Sequence, residues 1–338
     1  MSDRVFITWV RNSGRARDLA AAFQPPFALW EIEARRLKQQ PLLLPLRYLE
    51  QARVTWKRLH GAKPRVIFVQ SPPVFAGLVV ALYARGTGAR WVVDLHSSPF
   101  NTKKWGWSLP LQRWLAARAT ATLVHGEQIF ARTRDWTGRV INSEEPPAAL
   151  QPEGVVQGNP VRETVSPCAA GEKKFRVQVI SNFLFDEPLP VVLEAARQLP
   201  DVVFHITGDF TRAAPAWVAN PPANVTFTGF LPWAEYFAEM ASAGAVMVLT
   251  TRADAMQLGA WEAMYLGQPL ILSDQPALRR YYRCGAVFVR NTAAGIAEGV
   301  RRMQVEEAQR RVEIQALAQE KRQVWERQRA ELEEWIAR

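Results

Sequence analysis

The chain has 338 residues, 48% hydrophobic and 22% charged, which is enough for about two ordinary domains or one large α/β unit and too apolar for a disordered class. It carries 42 Lys and Arg against 32 Asp and Glu, a net charge of +10. Residues 1–140 hold 22 basic and 8 acidic side chains and the remainder 20 and 24, so a half at +14 precedes a half at −4, and the first is expected to face an anionic partner.

Taken in order, residues 5–9 read as a short apolar strand, 11–15 as a polar turn, 16–23 as a helix and 28–32 as a second strand. Residues 66–69 form a third strand, 74–84 an apolar helix, 91–94 a fourth strand, 121–124 a fifth and 139–141 a sixth. Continuous β-branched runs alternating with helices indicate parallel strands buried on both faces. Residues 143–173 break the pattern with Pro146, Pro147, Pro152, Pro160 and Pro167, the signature of a linker. A second alternation follows, with strands at 177–180, 202–207, 225–228, 245–250, 269–272 and 287–289. Helices are expected at 190–198, 233–243 and 259–266, with a long helical tail from about 294. The fold class is therefore α/β, two tandem Rossmann-like domains facing across a cleft, with a long C-terminal helix. The boundaries are 1–160, 161–315 and 316–338, the last segment expected to pack back on the first domain.

Cys168 and Cys284 stand far apart, which excludes a disulfide framework and a cysteine-based zinc site and favours a reducing compartment. The first residues have an early charge pair and lack the apolar core of a signal peptide. The longest uncharged apolar stretch, 74–83, is half of the ~20 residues needed to cross a bilayer, so any membrane contact is peripheral.

Ligands in open α/β sheets bind at the carboxyl ends of the strands. There, residues 250–258 form a polar loop that opens a helix at Gly259, whose free N–H groups and positive end suit a diphosphate. Glu262 lies just inside that helix, where a carboxylate can accept hydrogen bonds from a ribose diol. Asp94 and His96 end the fourth strand, and either can take a proton from an attacking hydroxyl. His96 can equally be a loop cap. His125 is a weaker candidate of the same kind, His205 reads as core and His60 as a solvated helix end. Gly14 and Arg15 follow the first strand, in a turn that could equally be an ordinary one. Asp209 after Gly208 is a ligand contact or a turn residue.

The segment Asp254 to Pro269, with Glu262-Ala263-Met264 and Gly267, resembles the donor-domain hallmark of the GT-B glycosyltransferases near family 4. Asn224-Val225-Thr226-Phe227-Thr228-Gly229-Phe230 resembles their N-V-x-F-x-G segment. The resemblance implies donor contacts at Ser181, Asn182, Gly208, Phe230, Arg252, Asp254, Met256, Gln257, Gly259 and Glu262, and acceptor or loop contacts at Gly14 and Arg15. The family's Gly-Arg-x4-Lys clamp on the diphosphate is missing: Asn182 and Glu187 stand in place of the cations, and Arg252 is the candidate replacement. That segment, with Gln70-Ser71-Pro72-Pro73 and Val92-Val93-Asp94-Leu95-His96, is similar instead to the chitobiosyldiphosphodolichol β-mannosyltransferases.

The resemblance implies sugar transfer from a nucleotide-diphosphate sugar, with no further cofactor and no metal. In an inverting reaction Asp94 or His96 would be the base; in a retaining one both would only orient sugars. The acceptor is expected to be lipid-linked or a polysaccharide. Leu46, Leu49, Trp56 and Leu59 recur at helical spacing among Arg47, Arg53, Lys57 and Arg58, and Lys103, Lys104, Trp105, Trp107, Arg113 and Trp114 repeat the mixture. Such segments suit an anionic membrane surface, which places the protein in the cytoplasm and on the inner membrane face. They equally suit a core-facing helix with a solvated basic face. The alternatives are a non-catalytic sugar-nucleotide sensor or membrane scaffold, and a nucleic-acid binder; no nucleic-acid motif is visible.

Overall fold

The computed structural model describes residues 3–10, 13–34, 43–96, 98–144, 146, 174–253 and 255–337. Asp254, Asn12, Cys168 and nearly all of the 143–173 linker lie outside the described residues. The chain divides into two compact units, Met1–Ala149 with Arg322–Arg338, and Leu150–Lys321.

The first unit begins with β1 (Arg4–Thr8), α1 (Gly14–Ala21), β2 (Ala28–Glu31) and α2 (Leu44–Ala62). Next come β3 (Val66–Ser71), α3 (Val74–Thr87) and β4 (Arg90–Leu95). Three short helices, α4 (Ser98–Asn101), α5 (Lys103–Gly106) and α6 (Leu109–Ala116), lead to β5 (Ala121–Val124), α7 (Glu127–Thr133) and β6 (Val140–Asn142). The six strands are all parallel in the order β2-β1-β3-β4-β5-β6. Every residue of β3 is buried, as a β-branched run covered on both faces must be. Ile67 and Val69 pack against α2 and α3 on one face, while Phe68 meets Phe23 and Phe27 on the other.

The second unit runs β7 (Phe175–Ile180), α8 (Leu189–Arg197), β8 (Val202–Thr207), α9 (Pro215–Ala219), β9 (Val225–Gly229) and α10 (Trp233–Ser242). It continues with β10 (Ala245–Val248), α11 (Leu258–Tyr265), β11 (Leu270–Ser273), α12 (Pro276–Tyr281) and β12 (Ala286–Val289). These strands are also all parallel, in the order β12-β11-β10-β7-β8-β9. The strand expected at 245–250 stops at Val248, because the Thr250 N–H leaves the ladder and donates to Ser273 Oγ (2.9 Å).

Helix α13 (Ala293–Ala337) closes the chain with 45 residues. Its Ile296, Val300 and Met303 fill the core on one face of the second sheet, and Ile314 and Leu317 the other. Its Trp325, Leu332 and Ile336 belong to the first unit's core, where Trp325 packs edge-on to Phe23. Val312 is exposed on the solvent side of the helix. His205 is not core either: the face of β8 that carries it meets α10, and its Nδ1 lies 3.0 Å from Glu239 Oε2.

Both sheets have a point where the strand order reverses. In the first it lies between β1 and β3, in the second between β7 and β10. The carboxyl ends of the strands at such a point are the usual ligand position in open α/β sheets.

Candidate functional site

At the first reversal point, Ser13 caps α1, its Oγ accepting from the Ala16 N–H (3.3 Å), and this turns Arg15 inward. Asp94, at the end of β4, is fully buried and takes that guanidinium in a fork. Arg15 Nε donates to Oδ1 (3.0 Å) and Oδ2 (3.1 Å), and Nη2 to Oδ1 (2.9 Å). Burial alone would raise the Asp94 carboxyl, but the Arg15 charge, assisted by His96, outweighs it and holds the group well below the usual carboxylate range. Burial, then the nearby Arg15 charge, push His125 well below the ordinary histidine range, so it is neutral at pH 7.

His96 is one-third exposed, the most open member of the cluster formed by Arg15, Asp94, His96 and His125. Its Nε2 points inward, 2.7 Å from the Gln70 amide nitrogen and 3.3 Å from Asp94 Oδ2. Its Nδ1 makes no hydrogen bond among the described residues. The Gln70 amide nitrogen is a donor, so at 2.7 Å it meets the lone pair of Nε2, which puts the proton of the neutral ring on the outward Nδ1. Gln70 also donates to Ser13 Oγ (2.9 Å) and accepts from Thr8 Oγ1 (2.5 Å), which joins β1, β3, β4 and α1 in one polar network. Sequence reasoning named Asp94, His96, Gly14 and Arg15 but missed Ser13, Thr8 and Gln70 as partners. Their shared signal is a polar residue at or just beyond the end of an otherwise apolar strand.

At the second reversal point the loop after β7 folds on itself. Glu187 Oε2 accepts from Ser181 Oγ (2.6 Å) and from the Asn182 N–H (2.7 Å). A carboxylate thus fills the donor pair that this strand end would offer an anion. Gly208, with φ +146, presses on this loop: a Cβ there would lie 1.8 Å from the Ser181 carbonyl oxygen. Asp186 ties the loop to the neighbouring strand end, its carbonyl accepting from the Thr251 N–H (2.7 Å). Asp209 caps the turn at Phe210–Arg212 through the Thr211 N–H, the turn role weighed above.

Helix α11 opens beside this loop. Gly259 lets it approach β7, since a Cβ would come within 2.8 Å of the Ile180 side chain. Gln257 donates to the Leu249 carbonyl (3.0 Å), and its Oε1 is buried without a hydrogen-bond partner among the described residues. Arg252 is exposed and makes no ion pair among the described residues, and Met256 is half-buried. Phe230, just after the left-handed Gly229, is 76% exposed. Glu262 is the fifth residue of α11 rather than at its opening. It is buried, and its Oε2 accepts from the Tyr236 hydroxyl (2.6 Å). Burial and then this carboxylate push the Tyr236 hydroxyl well above its ordinary range, so it stays a donor. Tyr236 was missed by sequence reasoning, and its 26-residue separation from Glu262 gave no signal. No group of three or more His, Cys, Asp or Glu among the described residues is arranged to hold a metal ion.

Two parallel doubly wound units, each with a polar constellation at its reversal point, define the GT-B class of glycosyltransferase fold. The family described as glycosyl transferases group 1 matches residues 180–304, and the glycosyl transferase 4-like domain matches residues 5–141. The chain is accordingly a glycosyltransferase with a group 1 second domain and a 4-like first domain. Sucrose-phosphate synthase from Thermosynechococcus elongatus is similar in fold, with a TM-score of 0.66 at 16% identity over 92% of this chain and 82% of that one. HepE of Anabaena, solved with UDP and glucose, has a TM-score of 0.65 at 16% identity over the whole of both chains. A putative UDP-N-acetylglucosamine 2-epimerase from Listeria monocytogenes reaches 0.64 at 12% identity, over 94% and 91% of the two chains. At such identities the likeness is one of fold. Comparison with curated protein sequences gives no match.

Proposed function

We propose that the second unit receives a nucleotide-diphosphate sugar and that the first unit activates a hydroxyl of a lipid-linked or saccharide acceptor. The observation that carries this reading is the Arg15–Asp94–His96–His125 cluster at the end of β4, of which His96 is the most open member. In direct displacement the acceptor oxygen bonds to the anomeric carbon as that carbon's bond to the donor phosphate oxygen breaks. The hydroxyl proton passes to the His96 imidazole, and the nucleoside diphosphate leaves with the electron pair. Glu262, steadied by Tyr236, is placed to accept from a ribose diol, and Arg252 with the opening of α11 supplies positive potential for the diphosphate. HepE, solved with UDP and glucose, supports a donor of this type.

The test is a thermal-shift screen against UDP-, GDP- and ADP-sugars, followed by a transfer assay. A donor at about 100 times its Kd stabilises the protein by about 2.7 kcal/mol, a shift of several degrees. Absence of a shift with every donor overturns the donor assignment.

The first unit also presents a surface suited to an anionic bilayer, and the reading includes peripheral attachment there. Leu46, Leu49, Arg53, Trp56 and His60 form one exposed stripe along α2, at spacings of three and four. Trp107 is exposed beside Phe75 of α3, and Lys104 and Arg118 lie over the rings of Trp105 and Trp114. Each basic side chain near such a surface contributes about 1 kcal/mol. No helix among the described residues is long and apolar enough to cross a membrane. Sedimentation with phosphatidylglycerol vesicles is expected to bring down the protein, and a Leu49→Ser/Trp56→Ser variant at least about tenfold less of it. Equal sedimentation of the two proteins counts against the surface, and retention by an oligonucleotide instead would favour nucleic acid.

A further inference from the structure

The loop after β7 is a fixed one, yet it holds an apolar side chain out in water. Phe183 takes the left-handed backbone at φ +56, a conformation that a bulky residue adopts only where its surroundings impose it. Its ring is held against Phe227, with centroids 6.3 Å apart, and its N–H donates to Ser181 Oγ (3.0 Å). The Glu187 N–H donates to the Leu184 carbonyl (3.0 Å), while the Glu187 carboxylate closes the loop on Ser181 and Asn182. What this frame leaves outside is Leu184, 42% exposed, and Phe185, 97% exposed. The Phe185 ring has no aromatic or cationic partner among the described residues.

The position of that side chain is set by the next residue. The Asp186 carbonyl accepts from the Thr251 N–H (2.7 Å) and from Thr251 Oγ1 (3.3 Å), and its carboxylate accepts from Thr250 Oγ1 (3.3 Å). The backbone at Phe185 is thereby stitched to the backbone at Arg252, across the two strands, β7 and β10, between which the sheet order reverses. Arg252 is exposed and in no ion pair among the described residues, whereas the carboxylates of Asp186 and Glu187 are engaged inside the loop. An open aromatic face and an unpaired cation thus stand on neighbouring loops at the ligand position of the sheet. Together they match a molecule with a C–H face next to a phosphate. In a glycosyltransferase that is the hexosyl phosphate of the donor: one face of the pyranose presents C–H groups to the negative face of a ring, and the anomeric carbon carries the phosphate oxygen. We propose that Phe185 is the platform on which the donor's hexose ring lies, with Arg252 on the adjoining phosphate, so that Phe185 fixes where the anomeric carbon stands. The proposal rests on the reading of the second unit as the donor site given above, and the experiment separates the two.

The full-length chain is compared with Phe185→Ala, Phe185→Trp and Arg252→Gln by calorimetric titration. The probes are nucleotides paired with their sugar esters: UDP with UDP-glucose, GDP with GDP-mannose and ADP with ADP-glucose. For the pair that the parent binds, Phe185→Ala is expected to raise the Kd of the sugar nucleotide by at least about fivefold and to leave that of the free nucleotide within about twofold. Phe185→Trp keeps a flat ring and is expected to bind both as the parent does. Arg252→Gln is expected to weaken both members of the pair, since both carry the diphosphate. The fold is expected to survive each change, because the two side chains are exposed. An unchanged Kd of the sugar nucleotide in Phe185→Ala overturns the proposal and leaves the donor site standing, and so does an equal loss for both members of the pair. Loss of sedimentation with phosphatidylglycerol vesicles in that variant, at unchanged donor binding, also overturns it and gives the loop to a membrane. A parent that binds no nucleotide of the three removes the donor reading, and the proposal with it.

Discussion

Glu262→Ala is expected to lower kcat/KM for sugar transfer by at least about a hundredfold while the circular dichroism spectrum stays that of the parent. Hydrogen bonds to a charged group contribute about 1.5–3 kcal/mol each, and a vicinal diol makes two with one carboxylate. The fold is expected to survive because Glu262 sits in α11 over a core of Ala260, Ala263 and Met264 that the substitution leaves intact. The Tyr236 hydroxyl loses its acceptor, which destabilises by about 1–3 kcal/mol and is visible as a modest fall in Tm. Glu262→Gln separates charge from contact, since it keeps an acceptor for Tyr236 and loses the carboxylate. Near-parental turnover by the alanine variant would remove Glu262 from the donor site.

The second large effect concerns stability. Asp94→Asn leaves the Arg15 guanidinium buried against an uncharged amide, and breaking a buried pair in this way destabilises by about 3–5 kcal/mol. For a unit of this size that corresponds to roughly 6–20 °C in Tm. The same pair predicts how the parent responds to acid. Asp94 is depressed in the folded state, so its contribution is fully present above about pH 4, where the unfolded carboxyl ionises, and is lost as pH falls through the lower folded value. His125 is depressed too. The unfolded chain takes up its proton below about pH 6.5 while the folded ring does not, so stability begins to fall there, by up to about 1.4 kcal/mol per pH unit. Urea midpoints measured between pH 8 and pH 3 are expected to show both segments, with Asp94→Asn lacking the more acidic one. An Asp94→Asn variant within about 1 kcal/mol of the parent at pH 7 would show that the pair is not sealed from water.

The alternation of strands and helices was legible because parallel strands covered on both faces need unbroken β-branched runs, and 66–69 and 202–207 supply them. The ends of the strands were legible as places where polar residues follow such runs, which is how Asp94 and His96 were picked out. What each side chain does there was not, because it depends on partners distant in sequence. Arg15 and Asp94 stand 79 positions apart, and the first strand's turn looked like an ordinary one. Glu187 read as a lost cation, whereas the loop uses it as an internal acceptor for Ser181 and Asn182. His205 read as core from its apolar neighbours along the strand, but burial of an alternate residue depends on what covers its face, and α10 brings Glu239 there. Bounds slipped where side chains rather than backbone end an element, as at Thr250.

Helix α13 has a consequence for the order in which the molecule is made. Trp325, Leu332 and Ile336 belong to the same core as Phe6, Phe23 and Phe68, yet they follow every strand of the second unit in the chain. A ribosome adding about 5–20 residues per second leaves the first six strands waiting on the order of 10–40 s for those side chains. During that interval the aromatic face of the first sheet is incomplete. The unit that is translated first is therefore the one finished last.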